Sequence, residues 1–295
     1  MEYIPAKTIV TSTRNPGDWF GCDYNMNIYR GCSHGCIYCD SRSEVYNNPD
    51  FDSVKVKENA LEIIRNDLRK KRKIGVVGTG AMSDPYNPLE AELMLTRGAL
   101  ELLAGYGFGV AIATKSPLVT RDIDLLLRAS VHAPVMCKIT VTTADDRLCR
   151  VVEPNVAPTS ERFKAIETLS RAGIYSGILL MPILPWINDT DENIREIVTR
   201  AADSGAKFIM PFFGLTMREG QREYFYEKLD VSFPGLRARY EKKYGQKYSC
   251  PSPREDALWE LFSAECDRRG LKYDMPRIIR YFRGAYDNMQ FKLGE

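Results

Sequence analysis

The feature that most constrains the fold is a regular alternation that begins near residue 24, in which short apolar runs alternate with longer segments of helical period. The run 109–115, for example, predicts a strand, and the segment 121–130 that follows it predicts a helix. Near-continuous apolar strands separated by helices are typical of a parallel sheet covered by helices. Six such strands in series, with no reversal of order, predict an α/β fold in the form of a partial (β/α)6 parallel TIM-type barrel.

The alternation stops after residue 217, and four short segments of helical pattern follow. We therefore predict two parts: a barrel with a short N-terminal segment at 1–217, and a helical C-terminal extension at 218–295 that packs on the barrel. In barrels of this kind the reactive groups lie at the carboxyl ends of the strands. The first predicted strand begins at residue 26, and the other five cover 73–81, 109–115, 135–143, 175–185 and 207–214. The predicted helices cover 56–72, 88–104, 121–130, 160–174 and 189–206.

Charge and hydropathy indicate where in the cell the protein is expected. The formal net charge is +2, which favours no particular partner, and no apolar run is long enough to cross a bilayer. The N-terminus lacks the basic start and apolar stretch of a signal peptide, so we expect a cytoplasmic protein without a membrane partner. Clustered cysteines in a reducing compartment more often bind metal than form disulfides. Five of the eight cysteines are scattered, and we interpret them as buried apolar residues: Cys22, Cys137, Cys149, Cys250 and Cys266.

The other three cysteines form a dense motif, Cys32-x3-Cys36-x2-Cys39, with glycines that allow the backbone to fold tightly around a bulky group. Structural zinc needs four protein ligands, and His34 offers one way to complete a Cys3His site in a zinc-stabilised module that binds nucleic acid or protein. One short loop would then have to deliver all four ligands. Three cysteines without a clear fourth suit a [4Fe–4S] cluster that keeps one iron open.

With its aromatic residue before the third cysteine, this motif resembles the radical S-adenosylmethionine (radical SAM) superfamily. Five ordered segments are similar to its spore photoproduct lyase-like branch: YNMNIYRGCSHGCIYCDSRS, SDPYNPLE, ATKS, EPNVAPTSERFKAIETLSRAGI and LLMPILPWIND. The resemblance implies that the three cysteines hold a [4Fe–4S] cluster and that S-adenosyl-L-methionine binds its fourth iron. It further implies that an electron reaching the cluster cleaves S-adenosylmethionine to a 5′-deoxyadenosyl radical, which abstracts hydrogen from a substrate.

The resemblance also implies roles for residues near the carboxyl ends of the predicted strands. Lys115 matches a lysine that contacts the S-adenosylmethionine carboxylate, and Tyr38 matches a position near its adenine. Thr140 and Thr142, on the predicted fourth strand, are candidates to bind the methionine carboxylate or the ribose. Ser83 is a candidate to contact cofactor or substrate, with a capped turn before the next helix as the alternative.

For other residues of these segments we expect either a structural or a catalytic role. Glu153 and Arg162 recur in the branch, and we expect them to pair structurally. We take Tyr38 and Asp40, which flank the third cysteine, as candidate catalytic residues. An electron donor such as flavodoxin or ferredoxin is implied as a partner. The substrate is left open between a small molecule, a nucleic acid and a peptide.

Two departures from the branch concern the substrate. The lyases carry a hydrogen-donating cysteine at the end of the second strand, where this chain has Ala81-Met82-Ser83-Asp84, and a tyrosine where it has Asp40. We therefore do not expect thymine-dimer repair. Tyr24, Tyr29, Cys22 and Cys149 are alternative residues for a radical relay, and their spacing in the sequence does not favour any one of them.

Overall fold

The computed structural model describes the backbone of residues 1–293 and the side chains of residues 1–284 and 286. Its strands are β1 (Glu2–Ile4), β2 (Val10–Ser12), β3 (Tyr24–Met26), β4 (Tyr29–Arg30), β5 (Lys55–Lys57), β6 (Val76–Thr79), β7 (Gly109–Thr114), β8 (Val135–Thr140), β9 (Tyr175–Leu180), β10 (Ile209–Pro211), β11 (Gly214–Thr216) and β12 (Ser249–Pro251). Its α-helices are α1 (Ala60–Lys70), α2 (Glu90–Leu93), α3 (Leu95–Gly105), α4 (Ile123–Ser130), α5 (Asp146–Val152), α6 (Thr159–Arg171), α7 (Asp191–Asp203), α8 (Gln221–Ser232), α9 (Leu236–Tyr244), α10 (Glu255–Arg269) and α11 (Met275–Leu293).

The central sheet confirms the predicted partial barrel. Its strand order is β10-β9-β8-β7-β6-β3-β2, so the six strands from β3 to β10 follow one another in chain order. Those six are parallel to their neighbours, and β2 adds an antiparallel strand at the β3 edge. In the part of the chain that the structure describes, the two edges of the sheet are not hydrogen-bonded to each other, which leaves the barrel open on one side.

Alternate residues of the strands face two different layers, as the pleat of a strand requires. On β8, Val135, Cys137 and Ile139 pack into the large apolar core that the outer helices cover. Met136 faces the other way, into a smaller apolar cluster in the barrel interior. The next interior position on β8 is Lys138, which lines a cavity above that cluster.

The region after residue 217 contains the four predicted helices, which are α8 to α11. A small antiparallel sheet of β11 and β12 was not predicted, and it joins this region to the residues just before 217. Ile278 and Phe282 of α11 pack into the interior cluster of the barrel. Arg195 of α7 contacts Glu265 of α10 at 2.6 Å. Strand pairing and helix packing therefore both connect the two predicted parts.

Several predicted boundaries were wrong in detail. The helix predicted at 88–104 is interrupted at Met94, whose φ of 49° separates α2 from α3. The strand predicted at 135–143 ends at Thr140, so Thr142 lies beyond it. The strand predicted at 175–185 ends at Leu180. Among the described residues, no helix combines the length and apolar character needed to cross a membrane.

Candidate active site

The three clustered cysteines lie in a loop that follows the short strand β4. Gly31 and Gly35 adopt φ values of +82° and +66°, a conformation that other residues rarely take. At Gly31 a side chain would also collide with the backbone, because a Cβ atom there would lie 2.5 Å from the Ser53 carbonyl oxygen. The two glycines therefore permit the tight fold that the sequence predicts for this loop.

Backbone hydrogen bonds attach the cysteine loop to two other segments. The Cys32 N–H donates to the Phe51 carbonyl at 2.8 Å, and the Ile37 N–H donates to the Val152 carbonyl at 3.0 Å. The Asn155 N–H in turn donates to the His34 carbonyl at 3.1 Å. The loop is thus held between the segment that precedes β5 and the end of α5.

Cys32, Cys36 and Cys39 line one cavity of about 130 Å³, which we call the cluster cavity. Among the described residues, no three cysteine, histidine or acidic side chains are close enough to share one metal ion. That spacing does not support the zinc alternative, in which three cysteines and His34 would surround a single ion. Three thiols that line one cavity fit a [4Fe–4S] cluster, because each thiolate of such a cluster binds a different iron.

The chemistry of the three thiols agrees with this fit. Burial raises the pKa of Cys32 to about 11, and burial also raises the pKa values of Cys36 and Cys39. A buried thiolate needs a positive partner, and metal ligation deprotonates a thiol outright. His34 also lines the cluster cavity, where its Nδ1 atom lies 3.6 Å from the Asp84 carboxylate.

Lys115 and Ser83 reach the same cavity from the ends of neighbouring strands. The sequence predicts a cofactor contact for Lys115 and a cofactor or substrate contact for Ser83, and both side chains line the cluster cavity. The Ser83 hydroxyl donates to the Tyr29 carbonyl at 3.0 Å. Asp84 accepts hydrogen bonds from the Lys115 N–H at 2.8 Å and from the Thr114 hydroxyl at 2.6 Å. Asp84 therefore fixes the loops after β6 and β7 relative to each other.

Tyr38 belongs to a buried polar network behind the cysteine loop. Its hydroxyl donates to the carboxylate of Glu153, which also lies 2.6 Å from the Arg162 guanidinium. The structural pairing of Glu153 and Arg162 is as predicted. Burial alone would raise the pKa of Glu153, but Arg162 and Lys115 hold that pKa below its ordinary value. The Tyr38 hydroxyl is thus engaged by protein, while its ring centroid lies 5.7 Å from the Lys115 ammonium.

The two threonines proposed from the fourth strand lie in different environments. Thr140 ends β8 and lines the cluster cavity. Thr142 lines neither that cavity nor the larger one beside it, and its hydroxyl donates to Glu153 at 3.4 Å. The geometry therefore brings Thr140 together with Lys115 and Ser83, and it leaves Thr142 in the network behind the loop.

A larger cavity of about 380 Å³ occupies the barrel interior, and we call it the barrel cavity. It adjoins the cluster cavity, with which it shares the lining residues Cys39, Ser41, Gly80, Ala81, Ala113 and Leu179. Asp40 and Tyr38 line the barrel cavity and not the cluster cavity. The Asp40 carboxylate accepts hydrogen bonds from Thr216 at 3.1 Å and from Tyr46 at 3.2 Å, and it pairs with Arg218 at 3.2 Å.

Sequence reasoning missed one charged residue of the barrel cavity, Lys138. A signal for it exists in the sequence, because Lys138 is the single charged residue within the run 135–143 that predicts a buried strand. Its strand was identified, but the position was not recognised as facing the interior. Cys22, interpreted as a buried apolar residue, lines the same cavity.

The fold and the cysteine loop together define the class of protein: an α/β partial barrel in which three clustered cysteines line one cavity together with residues at the carboxyl ends of its strands. The family model described as "Radical SAM superfamily" matches residues 26–210. The chain therefore belongs to the radical SAM superfamily, whose members use a [4Fe–4S] cluster and S-adenosylmethionine.

Relatives in sequence are mostly uncharacterised. An uncharacterized protein from Mycobacterium tuberculosis is 33% identical over 240 residues, which cover 79% of this chain and 70% of that protein. A radical SAM Nα-GlyT isomerase from Pseudomonas phage M6 is 25% identical over 182 residues, which cover 62% of this chain and 37% of that protein.

Solved structures with low sequence identity share the fold of this chain. Spore photoproduct lyase complexed with a dinucleoside spore photoproduct superposes with a TM-score of 0.67 at 14% identity. The superposition covers 92% of this chain and 81% of the lyase. At this level of identity the similarity concerns the fold, and it confirms the radical SAM barrel.

Proposed function

We propose that this protein is a radical SAM enzyme whose cluster is held by Cys32, Cys36 and Cys39 and whose substrate binds in the barrel cavity. The observation that carries the proposal is the contact between the two cavities, because three thiols line one of them and the other is of ligand size. When bound, the cluster and S-adenosylmethionine supply a 5′-deoxyadenosyl radical that abstracts hydrogen from the substrate. An electron donor such as flavodoxin or ferredoxin is the partner that this chemistry needs.

In this proposal, three residues at the strand ends bind S-adenosylmethionine. Lys115 supplies a positive charge to the cluster cavity, which suits the carboxylate of an amino acid. The hydroxyls of Ser83 and Thr140 line the same cavity and offer hydrogen bonds to the cofactor. Tyr38 stays near the cofactor through its ring, since its hydroxyl is bound to Glu153. Thr142 lies too far back for a direct contact, and we assign it to the support of Glu153.

The chain also excludes water from the reacting centre. Cys32 and Cys36 are buried, and the apolar side chain of Leu179 lines both the cluster cavity and the barrel cavity. A reactive radical requires such protection, because access of water or of other hydrogen donors would end it in a side reaction. Asp40 borders the substrate side, where its partners Thr216 and Arg218 hold its carboxylate in place.

The substrate differs from that of the DNA-repair lyases in this proposal. The lyases carry their hydrogen-donating cysteine where this chain has Ala81-Met82-Ser83-Asp84, and Ala81 lies in the wall that the two cavities share. Thymine-dimer repair by the lyase relay is therefore not the activity that we propose. The substrate remains open between a small molecule, a nucleic acid and a peptide.

The test is anaerobic purification followed by incubation with dithionite and S-adenosylmethionine. We expect a brown protein with about four irons and four sulfides per chain, and formation of 5′-deoxyadenosine. Cys36→Ala should abolish both the iron content and the product. Cys266→Ala is the matched control, because Cys266 is a buried free cysteine in α10. A colourless protein with one zinc per chain would contradict the proposal.

A further inference from the structure

Lys138 is a charged residue almost completely removed from water. It is 3% exposed, it extends from β8 into the barrel cavity, and its ammonium lies 4.5 Å from the centroid of the Phe20 ring. Among the described residues, no carboxylate and no hydrogen-bond acceptor contacts this ammonium. A buried charge without a partner costs much free energy. The position therefore suggests a partner that comes from outside the chain.

The acidic residues near Lys138 already have partners. Asp40, in the same cavity, is bound by Thr216 and Arg218. Asp23 lies 3.3 Å from the Arg283 guanidinium and accepts the Val76 N–H at 2.9 Å. Cys22 lines the cavity too, but burial raises the pKa of its thiol, so that it is uncharged near neutral pH. None of these groups balances the charge of Lys138.

The barrel cavity is also lined by side chains that can donate hydrogen bonds to a ligand. Asn25 on β3 and Thr79 on β6 line it, and neither side chain has a hydrogen-bond partner among the described residues. Besides Thr79, the strands between β3 and β8 contribute two small residues to the cavity wall, Gly78 on β6 and Ala113 on β7. The cavity volume of about 380 Å³ leaves room for a ligand that contacts both the Asn25 amide and the Lys138 ammonium.

We propose that the barrel cavity binds its substrate through an acidic group, a carboxylate or a phosphate, that pairs with Lys138 and accepts hydrogen bonds from Asn25 and Thr79. An amide, a hydroxyl and an ammonium together suit an anion better than a neutral group, because all three can donate. Leu179 and Met181, which also line the cavity, contact the apolar part of the same substrate. This inference rests on the proposed function, since it assigns the substrate of that site.

The experiment measures thermal unfolding of the reconstituted holoprotein at one scan rate, with sodium phosphate, sodium acetate or sodium chloride at matched ionic strength. We expect phosphate or acetate to raise the unfolding midpoint of the wild type by about 2–4 °C at roughly ten times its dissociation constant. Lys138→Met should lose this rise, and Asn25→Ala should reduce it. Lys164→Met should keep it, because Lys164 is an exposed residue of α6 on the outside of the barrel.

A response to phosphate alone assigns a phosphate ester, and a response to acetate alone assigns a carboxylic acid. In chloride, Lys138→Met should unfold at a higher temperature than the wild type, because it removes an unpaired buried charge. The inference is overturned if neither anion stabilises the wild type, or if Lys138→Met keeps the full response. Formation of 5′-deoxyadenosine by the wild type without an added anion tests the proposed function separately. The proposed function and the anion-binding inference can therefore be contradicted independently.

Discussion

Glu153 and Arg162 form a fully buried ion pair directly behind the cysteine loop, with Arg162 Nη2 2.6 Å from Glu153 Oε2. Arg162 also donates to the Thr140 carbonyl at 3.0 Å and to the Ala157 carbonyl at 2.8 Å. Glu153 in turn accepts the Tyr38 hydroxyl. One ion pair thus connects the end of β8, the start of α6 and the loop that carries the cysteines.

The first prediction concerns the stability that this pair provides. Arg162→Leu leaves the Glu153 carboxylate buried without its charged partner, which we expect to lower the free energy of unfolding by about 3–5 kcal/mol. Urea unfolding of the anaerobic protein measures the loss. Arg171→Leu, on the same helix, is the control. Its pair with Glu167 is exposed, so we expect a loss below about 1 kcal/mol. Equal losses for the two variants would show that the buried pair has no special role.

The second prediction concerns Lys115. If its ammonium binds the S-adenosylmethionine carboxylate, Lys115→Met should weaken cofactor binding about 10- to 100-fold, as expected for a charge-assisted hydrogen bond. The iron content should stay at the wild-type level, because Lys115 holds no iron. Equilibrium binding of S-adenosylmethionine and an iron assay measure the two effects. Lys207→Met, at an exposed position, should change neither of them. Wild-type affinity in Lys115→Met would rule out this role.

The cysteine loop could be predicted from the sequence because its ligands lie close together in the chain. Three cysteines within eight positions need no tertiary information to be recognised. The strand alternation was sufficient for the barrel for the same reason, since each unit is local. The bond from Tyr38 to Glu153 joins residues 115 positions apart, and no local pattern indicates it.

The face of the sheet on which a side chain lies was harder to predict than the strand to which the residue belongs. Thr140 and Thr142 were placed on one strand, but β8 ends at Thr140, so the backbone after it no longer keeps the alternation of faces. Lys138 is the interior residue next to Thr140 on that strand, and it enters the barrel cavity. Register on a buried strand depends on which face meets the helices, and a run that is apolar on both faces does not reveal it.

The third prediction concerns Asp40, which the sequence indicated as a candidate catalytic residue. Its carboxylate ties the cysteine loop to Thr216 and Tyr46 and is partly exposed. Asp40→Ala should therefore lower the free energy of unfolding by about 1–2 kcal/mol. Asp40→Asn keeps one carbonyl oxygen and should lose less.

The activity of the same variants tests whether Asp40 takes part in S-adenosylmethionine cleavage. Asp40 lines the barrel cavity and not the cluster cavity, so we expect 5′-deoxyadenosine formation in the absence of substrate to stay at the wild-type rate in Asp40→Asn. A fall in that rate without a matching loss of stability would assign Asp40 to S-adenosylmethionine cleavage instead.

The last prediction concerns the pH dependence of stability at Lys138. Burial lowers the pKa of this ammonium in the folded state, and neighbouring Cys22 and Cys137 oppose that shift only in part. The unfolded chain, with an ordinary lysine pKa near 10.4, therefore binds the proton more tightly than the folded chain. Stability then rises with pH between the folded and the unfolded pKa, and the destabilisation is fully present below the folded pKa.

Lys138→Met removes this titration, so the variant should be more stable than the wild type near neutral pH. The difference should shrink as the pH rises toward about 10.4, with a slope of at most about 1.4 kcal/mol per pH unit. Urea unfolding of both proteins at a series of pH values from neutral upward measures it. Comparing the two proteins cancels the titration of shared groups other than the adjacent Cys22 and Cys137. Lys164→Met should show no such trend, and a difference for Lys138→Met that is constant with pH would mean that Lys138 keeps its ordinary pKa in the folded protein.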